Sequence, residues 1–274
     1  MRRKTALVLL AASAAASAQE ATNTPAATQP SQGKWTLREK FQYVRSGAQP
    51  DGAVAGTEKV LANTIVSYGL AREWSLTLDW TALAAFDDRD AGGSDREYGL
   101  YDPAVSLKWR PFQWDLGPVD SVRLAFIGGL ELPLGTGEFS SHSWDPFAGA
   151  VFTAILGRHG FNAATQYKFN TGSGAAIGRA GDTGDDALRY DLAYLFRLSP
   201  SAYTADTTAA TYLTFEVNGL YETGGDHEVI VGPGLLYEAR RFALEATLGL
   251  PLIRDVDHRQ RTNLVLTAGV RFLF

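Results

Sequence analysis

Residues 263–274 read NLVLTAGVRFLF, and the alternation in them decides the fold. Leu264, Leu266, Ala268, Val270, Phe272 and Phe274 form one row, all apolar. Asn263, Val265, Thr267, Gly269, Arg271 and Leu273 form the other, which is mixed and largely polar. Successive side chains of a strand point to opposite faces, so a period of two describes a strand with one apolar side and one wet side. Leu264 to Phe274 are expected to face lipid, and Thr267 and Arg271 a lumen.

The same pattern runs back through the chain. In residues 74–86, Trp74, Leu76, Leu78, Trp80, Ala82, Ala84 and Phe86 oppose Ser75, Thr77, Asp79 and Thr81. Clear alternation also marks 121–132, 187–198, 211–221 and 242–252. Weaker alternation marks 34–45, 58–68, 100–110, 146–156, 160–170 and 228–238. Glu39 breaks the apolar row of the first of these, and 58–68 and 146–156 have ambiguous faces. With 262–274 the count is about twelve strands of about ten residues, the length that crosses a bilayer in a tilted barrel.

The connections have a rhythm. Links 69–73, 157–159 and 239–241 are short, whereas 46–57, 87–99, 133–145 and 171–186 are long and polar. Short turns at one end and long loops at the other are the habit of outer-membrane barrels. Links 111–120, 199–210 and 222–227 depart from it. Aromatics gather near strand ends, at Trp35, Tyr43, Tyr68, Trp74, Phe86, Trp109, Tyr221, Tyr237, Phe242 and Phe272, where interfacial girdles sit. A soluble sandwich has strands of about five or six residues. The fold expected is an all-β, transmembrane, antiparallel up-and-down β-barrel over 34–274.

The N-terminus supplies an address. Residues 1–18 hold Arg2, Arg3 and Lys4, then a short apolar run, then Ala16-Ser17-Ala18, the three parts of a cleavable secretory signal. Removing them takes the net charge from −5 to −8. Residues 19–33, QEATNTPAATQPSQG, are small, polar and proline-bearing, and read as a flexible periplasmic linker. There are 274 residues, 45% hydrophobic, with no cysteine, so disulfide and thiol chemistry are excluded. The acidic balance argues against a nucleic-acid partner. An outer-membrane location makes lipid and lipopolysaccharide the surroundings. A terminal phenylalanine, Phe274 with Phe272 before it, resembles the signal read by the outer-membrane assembly machinery.

Signals of catalytic chemistry are sparse. Ser141-His142-Ser143 lies in a predicted outer loop, and adjacent residues do not form a dyad. His159, His227 and His258 fall in turns. Asp226 with His227, or Asp257 with His258, could hold a divalent cation, but converging ligands are not evident. The Gly/Asp-rich stretch 172–186 lacks a calcium-loop or phosphate-loop pattern. No catalytic, cofactor or metal residue is assigned, and the chain is read as a non-enzyme without a cofactor.

The candidate functional residues line the lumen. They are Arg38, Lys40, Asp79, Lys108, Arg123, Glu131, Lys168, Arg189, Asp191, Arg197, Glu216, Glu245 and Arg271. Both signs occur, so a single-sign ion-selective ring is not expected, and internal pairing is.

Several stretches together resemble one family: YGLYDPAVSLKWRPF (98–112), GGLELPLGTGE (128–138), SWDPFAGAVFT (143–153), ALRYDLAYLFRL (187–198), LTFEVNGLYE (213–222) and VGPGLLYEARRFALEATLGLPL (231–252). They are similar to the bacterial outer-membrane transporter family associated with phenol-degradation meta-pathways, over about residues 60–274. Tyr101-Asp102-Pro103 stands where that family usually shows a Gly-Asp pair. The resemblance implies a barrel that passes small hydrophobic or aromatic compounds, with no catalytic residues. The functional expectation is therefore passive uptake of such solutes. Two alternatives stand beside it: a barrel enzyme acting on lipids, and a structural barrel with a filled lumen.

Overall fold

The computed structural model describes residues 19–48, 56–90, 93–172, 179–204 and 206–274. The leader 1–18 lies outside them, as do parts of the predicted loops 46–57 and 171–186.

Among the described residues thirteen antiparallel strands close one barrel. They are β1 (Trp35–Ser46), β2 (Thr57–Ala71), β3 (Trp74–Asp90), β4 (Gly93–Gly99), β5 (Ala104–Asp115), β6 (Ser121–Glu131), β7 (Asp145–Leu156), β8 (His159–Lys168), β9 (Ala187–Ser199), β10 (Ala209–Glu222), β11 (His227–Ala239), β12 (Phe242–Asp255) and β13 (Thr262–Leu273). Each pairs with its neighbour in sequence except β4 with β5, and β1 pairs with β13 from Thr36 opposite Leu273 to Val44 opposite Val265. β4 and β5 pair with successive parts of β3, so they are one stave interrupted at residues 100–103. Twelve staves result. Closure leaves no strand edge in lipid, where an unpaired N–H or C=O would cost several kcal/mol by rough estimate.

The exterior is apolar. Phe41, Leu192, Leu213, Phe215, Leu235, Leu250 and Leu266 are all exposed. Interleaved residues such as Arg38, Thr214, Glu216, Glu245 and Arg271 are buried. This inversion, greasy outside and polar inside, is the arrangement a bilayer requires. Aromatic rings pack on one another at the end that carries the short turns. Trp74 stacks on Trp109 with centroids 5.6 Å apart, and Trp35 lies 4.3 Å from Tyr68.

The register of β2 follows from β1. Tyr68 packs on Trp35 outside, while Lys59, Leu61 and Asn63 line the interior. In β7, Val151, Thr153 and Ile155 are buried, while Phe152 and Leu156 are exposed.

Three connections differ from the sequence reading. Residues 87–99, expected as an outer loop, largely continue β3 and form β4. The sequence there, DDRDAGGSDREYG, has no apolar row to mark a strand, because only lipid enforces one. Links 111–120 and 199–210 shorten to 116–120 and 200–208 because their flanking strands run on.

Asp102 explains the interruption of the fourth stave. Its carboxylate accepts the Gly135 N–H (2.6 Å), the Ser141 N–H (2.7 Å) and the hydroxyls of Ser140 and Ser141. It ties loop 132–144 over the outer end. Gly232, in β11, needs its missing side chain: a Cβ there would meet the Leu248 carbonyl at 1.7 Å.

Glu39 faces lipid. It shares the outer face of β1 with Trp35, Leu37 and Phe41, about midway between Trp35 and Tyr43. The Thr64 hydroxyl donates to its carboxylate at 2.8 Å. An acidic group at that depth is destabilising, less so than a basic one. Glu39→Leu is expected to stabilise the barrel by about 1 kcal/mol. Urea unfolding from lipid vesicles measures it, and a lowered midpoint would contradict the placement.

Candidate functional site: the lumen and its N-terminal segment

The lumen is occupied from one end by the chain's own N-terminal residues. The segment read from composition as a flexible linker, 19–33, instead folds into the barrel. Ala21, Thr24, Ala26 and Ala27 have 0% exposure, and Gln19, Thr22 and Thr28 are buried. Water-sized space is absent beside the four residues without exposure, whereas Glu20, Asn23 and Pro25 of the same stretch are partly exposed, so the segment narrows the lumen at this level. The segment leaves through the short-turn end. There Gly33 N–H donates to the Gly69 carbonyl at 2.8 Å, next to β1.

An irregular segment inside a barrel must have its backbone groups satisfied by side chains. The lumen supplies them. Glu216 accepts the N–H groups of Thr22 (3.0 Å), Asn23 (2.8 Å) and Thr24 (2.8 Å), and the Thr24 hydroxyl as well. Arg38 donates to the carbonyls of Ala21 and Thr22 at 2.9 and 2.8 Å. Lys108 donates to those of Ala26 and Thr28. Ala27 N–H reaches Thr153 Oγ1 at 2.8 Å, and Asn162 donates to the Gln19 carbonyl. Pro25 and Pro30 carry no N–H to satisfy. The small side chains fit where larger ones would not. Ala21 packs on Leu195, Tyr212 and Leu236, and Ala27 on Ala125 and Val151.

Charge completes the anchorage. Glu245 receives Arg38 through two bonds, 2.6 and 2.8 Å, and Arg271 at 3.1 Å. Both guanidiniums also reach Glu20 of the segment, at 3.3 and 3.2 Å. Two cations and two carboxylates share one buried cluster.

Beyond the segment the lumen opens into a chamber of about 840 Å³. Its floor includes Asn23 and Glu216, and its walls reach His258, Arg259 and Gln260 at the outer rim. Lys40, Asp79, Arg189 and Asp191 line it. Asn63 donates to Asp79 at 2.6 Å, and Asn218 to Asp191 at 2.8 Å. The remaining candidates lie elsewhere. Glu131 and Lys168 join Arg179 and Asp182 in an ion-pair cluster toward the outer loops. Arg197 lies over the Tyr203 ring at 4.0 Å, by the link between β9 and β10. Arg123 is buried in β6, opposite Gln113 and Thr153 of its neighbours.

Three of the four imidazoles bond groups other than serine, and His142 meets Ser140 through its backbone N–H alone. His159 bonds the Tyr194 hydroxyl, His227 the Tyr190 hydroxyl and His258 the Asp226 carboxylate. Ser140, Ser141 and Ser143 spend their hydroxyls on Asp102 and Asp145. Among the described residues no imidazole side chain bonds a serine hydroxyl. The dyad that a lipid hydrolase would need is not assembled there.

His258 and Asp226 latch the last outer loop to the β10–β11 turn. Asp226 also accepts the N–H groups of Asp257 (2.8 Å) and His258 (3.2 Å). The bond to Asp226 holds the His258 imidazole above its ordinary pKa. Burial pushes the Asp226 carboxyl up, but the bonds from Asp257 and His258 prevail and lower it. The sign follows. The ion pair is fully present below the ordinary imidazole pKa and is lost as pH rises through the raised value. It is lost again in acid, as pH falls through the lowered carboxyl pKa. Amide exchange in loop 256–261 is expected to quicken as pH rises past neutrality, and His258→Gln to flatten that response. Equal slopes in the two proteins would refute the latch.

No family model matches the sequence, and no curated protein matches it. Solved structures do. The COG4313 outer membrane channel from Pseudomonas putida F1 is 12% identical, with a TM-score of 0.57 over 89% of this chain and 96% of its own. The likeness is one of fold. The β domain of the Bordetella autotransporter BrkA is 12% identical, with a TM-score of 0.49 over 89% of this chain and 100% of its own. The NanC porin is 11% identical, with a TM-score of 0.46 over 86% and 98%.

Proposed function

We propose that this chain is an outer-membrane channel for passive uptake of small solutes, closed at its periplasmic half by its own N-terminal segment. The observation that carries the reading is the chamber of about 840 Å³ inside a lipid-facing barrel, with Asn23 of the segment in its floor. Its volume suits one small organic molecule. Gly33 and Phe274 lie with the short turns, and in this reading that end is the periplasmic one and the chamber opens toward the outside. The leader 1–18 is the export signal, and lipid and lipopolysaccharide surround the mature barrel. Phe274, whose backbone pairs with Trp35, serves with Phe272 as the assembly signal. Deletion of Phe274 is expected to deplete folded barrel from outer-membrane fractions, and undiminished folding would exclude that role.

The family resemblance extends the reading to hydrophobic or aromatic solutes. The buried segment favours a second reading, a structural barrel with a filled lumen. Flux into proteoliposomes separates them. An aromatic solute is expected to enter faster than a sugar of similar size. Exclusion of both, by the intact protein and by one lacking the segment, would leave the structural reading.

A further inference from the structure

Opposite charges in and above this lumen commonly close to contact. Arg38 reaches Glu245 at 2.6 Å, Arg179 reaches Asp182 at 2.9 Å and Arg259 reaches Glu222 at 2.8 Å. One group in the chamber departs from this habit. Lys40, Asp79, Arg189 and Asp191 all line it, and among the described residues none of the four belongs to a contact ion pair. They lie within coulombic reach nonetheless, Asp79 of Lys40, and Asp191 of both Arg189 and Lys40. Neutral amides hold the carboxylates instead. Asn63 donates to Asp79 at 2.6 Å and Asn218 to Asp191 at 2.8 Å. An amide fixes a carboxylate without cancelling its charge, and leaves its other lone pairs free to accept.

The four are shared between two walls. Lys40 and Asp79 project from β1 and β3. Arg189 and Asp191 project from β9, five staves from β1 one way round and five from β3 the other. Each wall carries one cation and one anion, so the group sums to zero. Arg189 is exposed, and Lys40 and Asp79 are half-buried, so the space between the walls is open to solvent. The lining between the charges is mostly polar, with Gln42, Thr81 and Thr247 beside Asn23, Asn63 and Asn218.

Such a surface discriminates by the arrangement of charge in a solute and not by its net charge. A lone anion is drawn by Lys40 and Arg189 and repelled by Asp79 and Asp191. A lone cation meets the reverse, and a hydrocarbon offers nothing to any of the four. A solute with both an ammonium and a carboxylate finds an opposite charge for each on either wall, and charge-assisted hydrogen bonds replace those of its hydration.

We infer that Lys40, Asp79, Arg189 and Asp191 form a collar that binds small zwitterions of the amino-acid class, the cations taking the carboxylate and the acids the ammonium. The inference rests on the channel reading and names the solute that the channel selects. In that it departs from the solutes that the family resemblance implies.

Ligand-observed NMR titration of the purified mature protein in detergent tests the collar without reference to flux. The probes are serine, 3-hydroxypropanoate, which lacks its ammonium, and ethanolamine, which lacks its carboxylate. Serine is expected to bind at least about fivefold more tightly than either fragment. Asp79→Asn with Asp191→Asn keeps an acceptor for each amide and is expected to pass the preference to 3-hydroxypropanoate. Lys40→Gln with Arg189→Gln is expected to pass it to ethanolamine. Loss of structure does not produce opposite shifts, and heat-modifiable mobility on a gel checks that each variant folds. If a double variant does not fold, Asp191→Asn and Arg189→Gln alone carry the same test. Equal affinity for serine and its fragments, or variants that weaken all three probes alike, overturns the collar. Flux of the same probes into proteoliposomes separates the two readings. Serine that binds with this preference and does not cross removes the channel and keeps the collar. Probes that cross at one rate and bind alike keep the channel and remove the collar.

Discussion

Deleting residues 21–28 is expected to turn a nearly silent barrel into a conducting one. The barrel ladder does not use these residues. Every strand from β1 to β13 keeps its partners, and Gly33 still ties the chain to Gly69. The polar groups that held the segment are not stranded, because water replaces it. Glu216 and Lys108 trade backbone partners for solvent, and the Arg38–Glu245–Arg271 contacts remain. The chamber then communicates with the periplasmic end through a lumen wide enough for the removed chain. Single-channel recording in planar bilayers should show a severalfold rise in conductance. A conductance equal to that of the intact protein would mean that the segment is not the barrier.

A milder change grades the same effect. Glu216→Ala removes the acceptor shared by three consecutive N–H groups, those of Thr22, Asn23 and Thr24. Arg38 and Lys108 still grip the carbonyls. Thr153 and Asn162 also keep their bonds to Ala27 and Gln19, so only residues 22–24 are loosened, and brief openings are expected in place of a steady open level.

The strands were legible because a bilayer enforces the alternation. Lipid admits only apolar residues on one face, so rows such as Leu264 to Phe274 are nearly uninterrupted, and the structure sets β13 where that row lies. The signal fades where the enforcing solvent does. β3 runs on to Asp90 and β4 follows, in polar sequence with no apolar row. The segment 19–33 was misread for a different reason. Its composition cannot bury a core of its own, which is correct, but the core here belongs to the barrel. The available sign was the concentration of Arg38, Glu216, Glu245 and Arg271 on inner faces, more hydrogen-bonding capacity than strands alone consume. Alternation shows which side chains turn away from lipid. It does not show that Glu245 meets two arginines, because that depends on register across strands distant in sequence.

Glu245 is expected to be the costliest single side chain to remove. Its side chain has 0% exposure and lies between two guanidiniums, Arg38 on both its oxygens and Arg271 on one. Glu245→Ala would leave two buried cations to share Glu20, whose side chain is 22% exposed and belongs to the segment and not to the wall. Breaking a buried pair by removing one partner costs about 3–5 kcal/mol, because the survivor keeps its desolvation without its attraction. Urea unfolding from vesicles should report a loss of that order. Replacing the cluster as a whole should behave differently. Arg38→Leu with Glu245→Leu and Arg271→Leu removes the desolvation together with the attraction, and such exchanges are often neutral or stabilising. That triple variant should unfold at higher urea than Glu245→Ala, while gripping the N-terminal segment less firmly and conducting more. If Glu245→Ala costs less than about 1 kcal/mol, water reaches the cluster and the pairs are of the weak, exposed kind. The closed floor of the lumen would then be wetter than its geometry indicates.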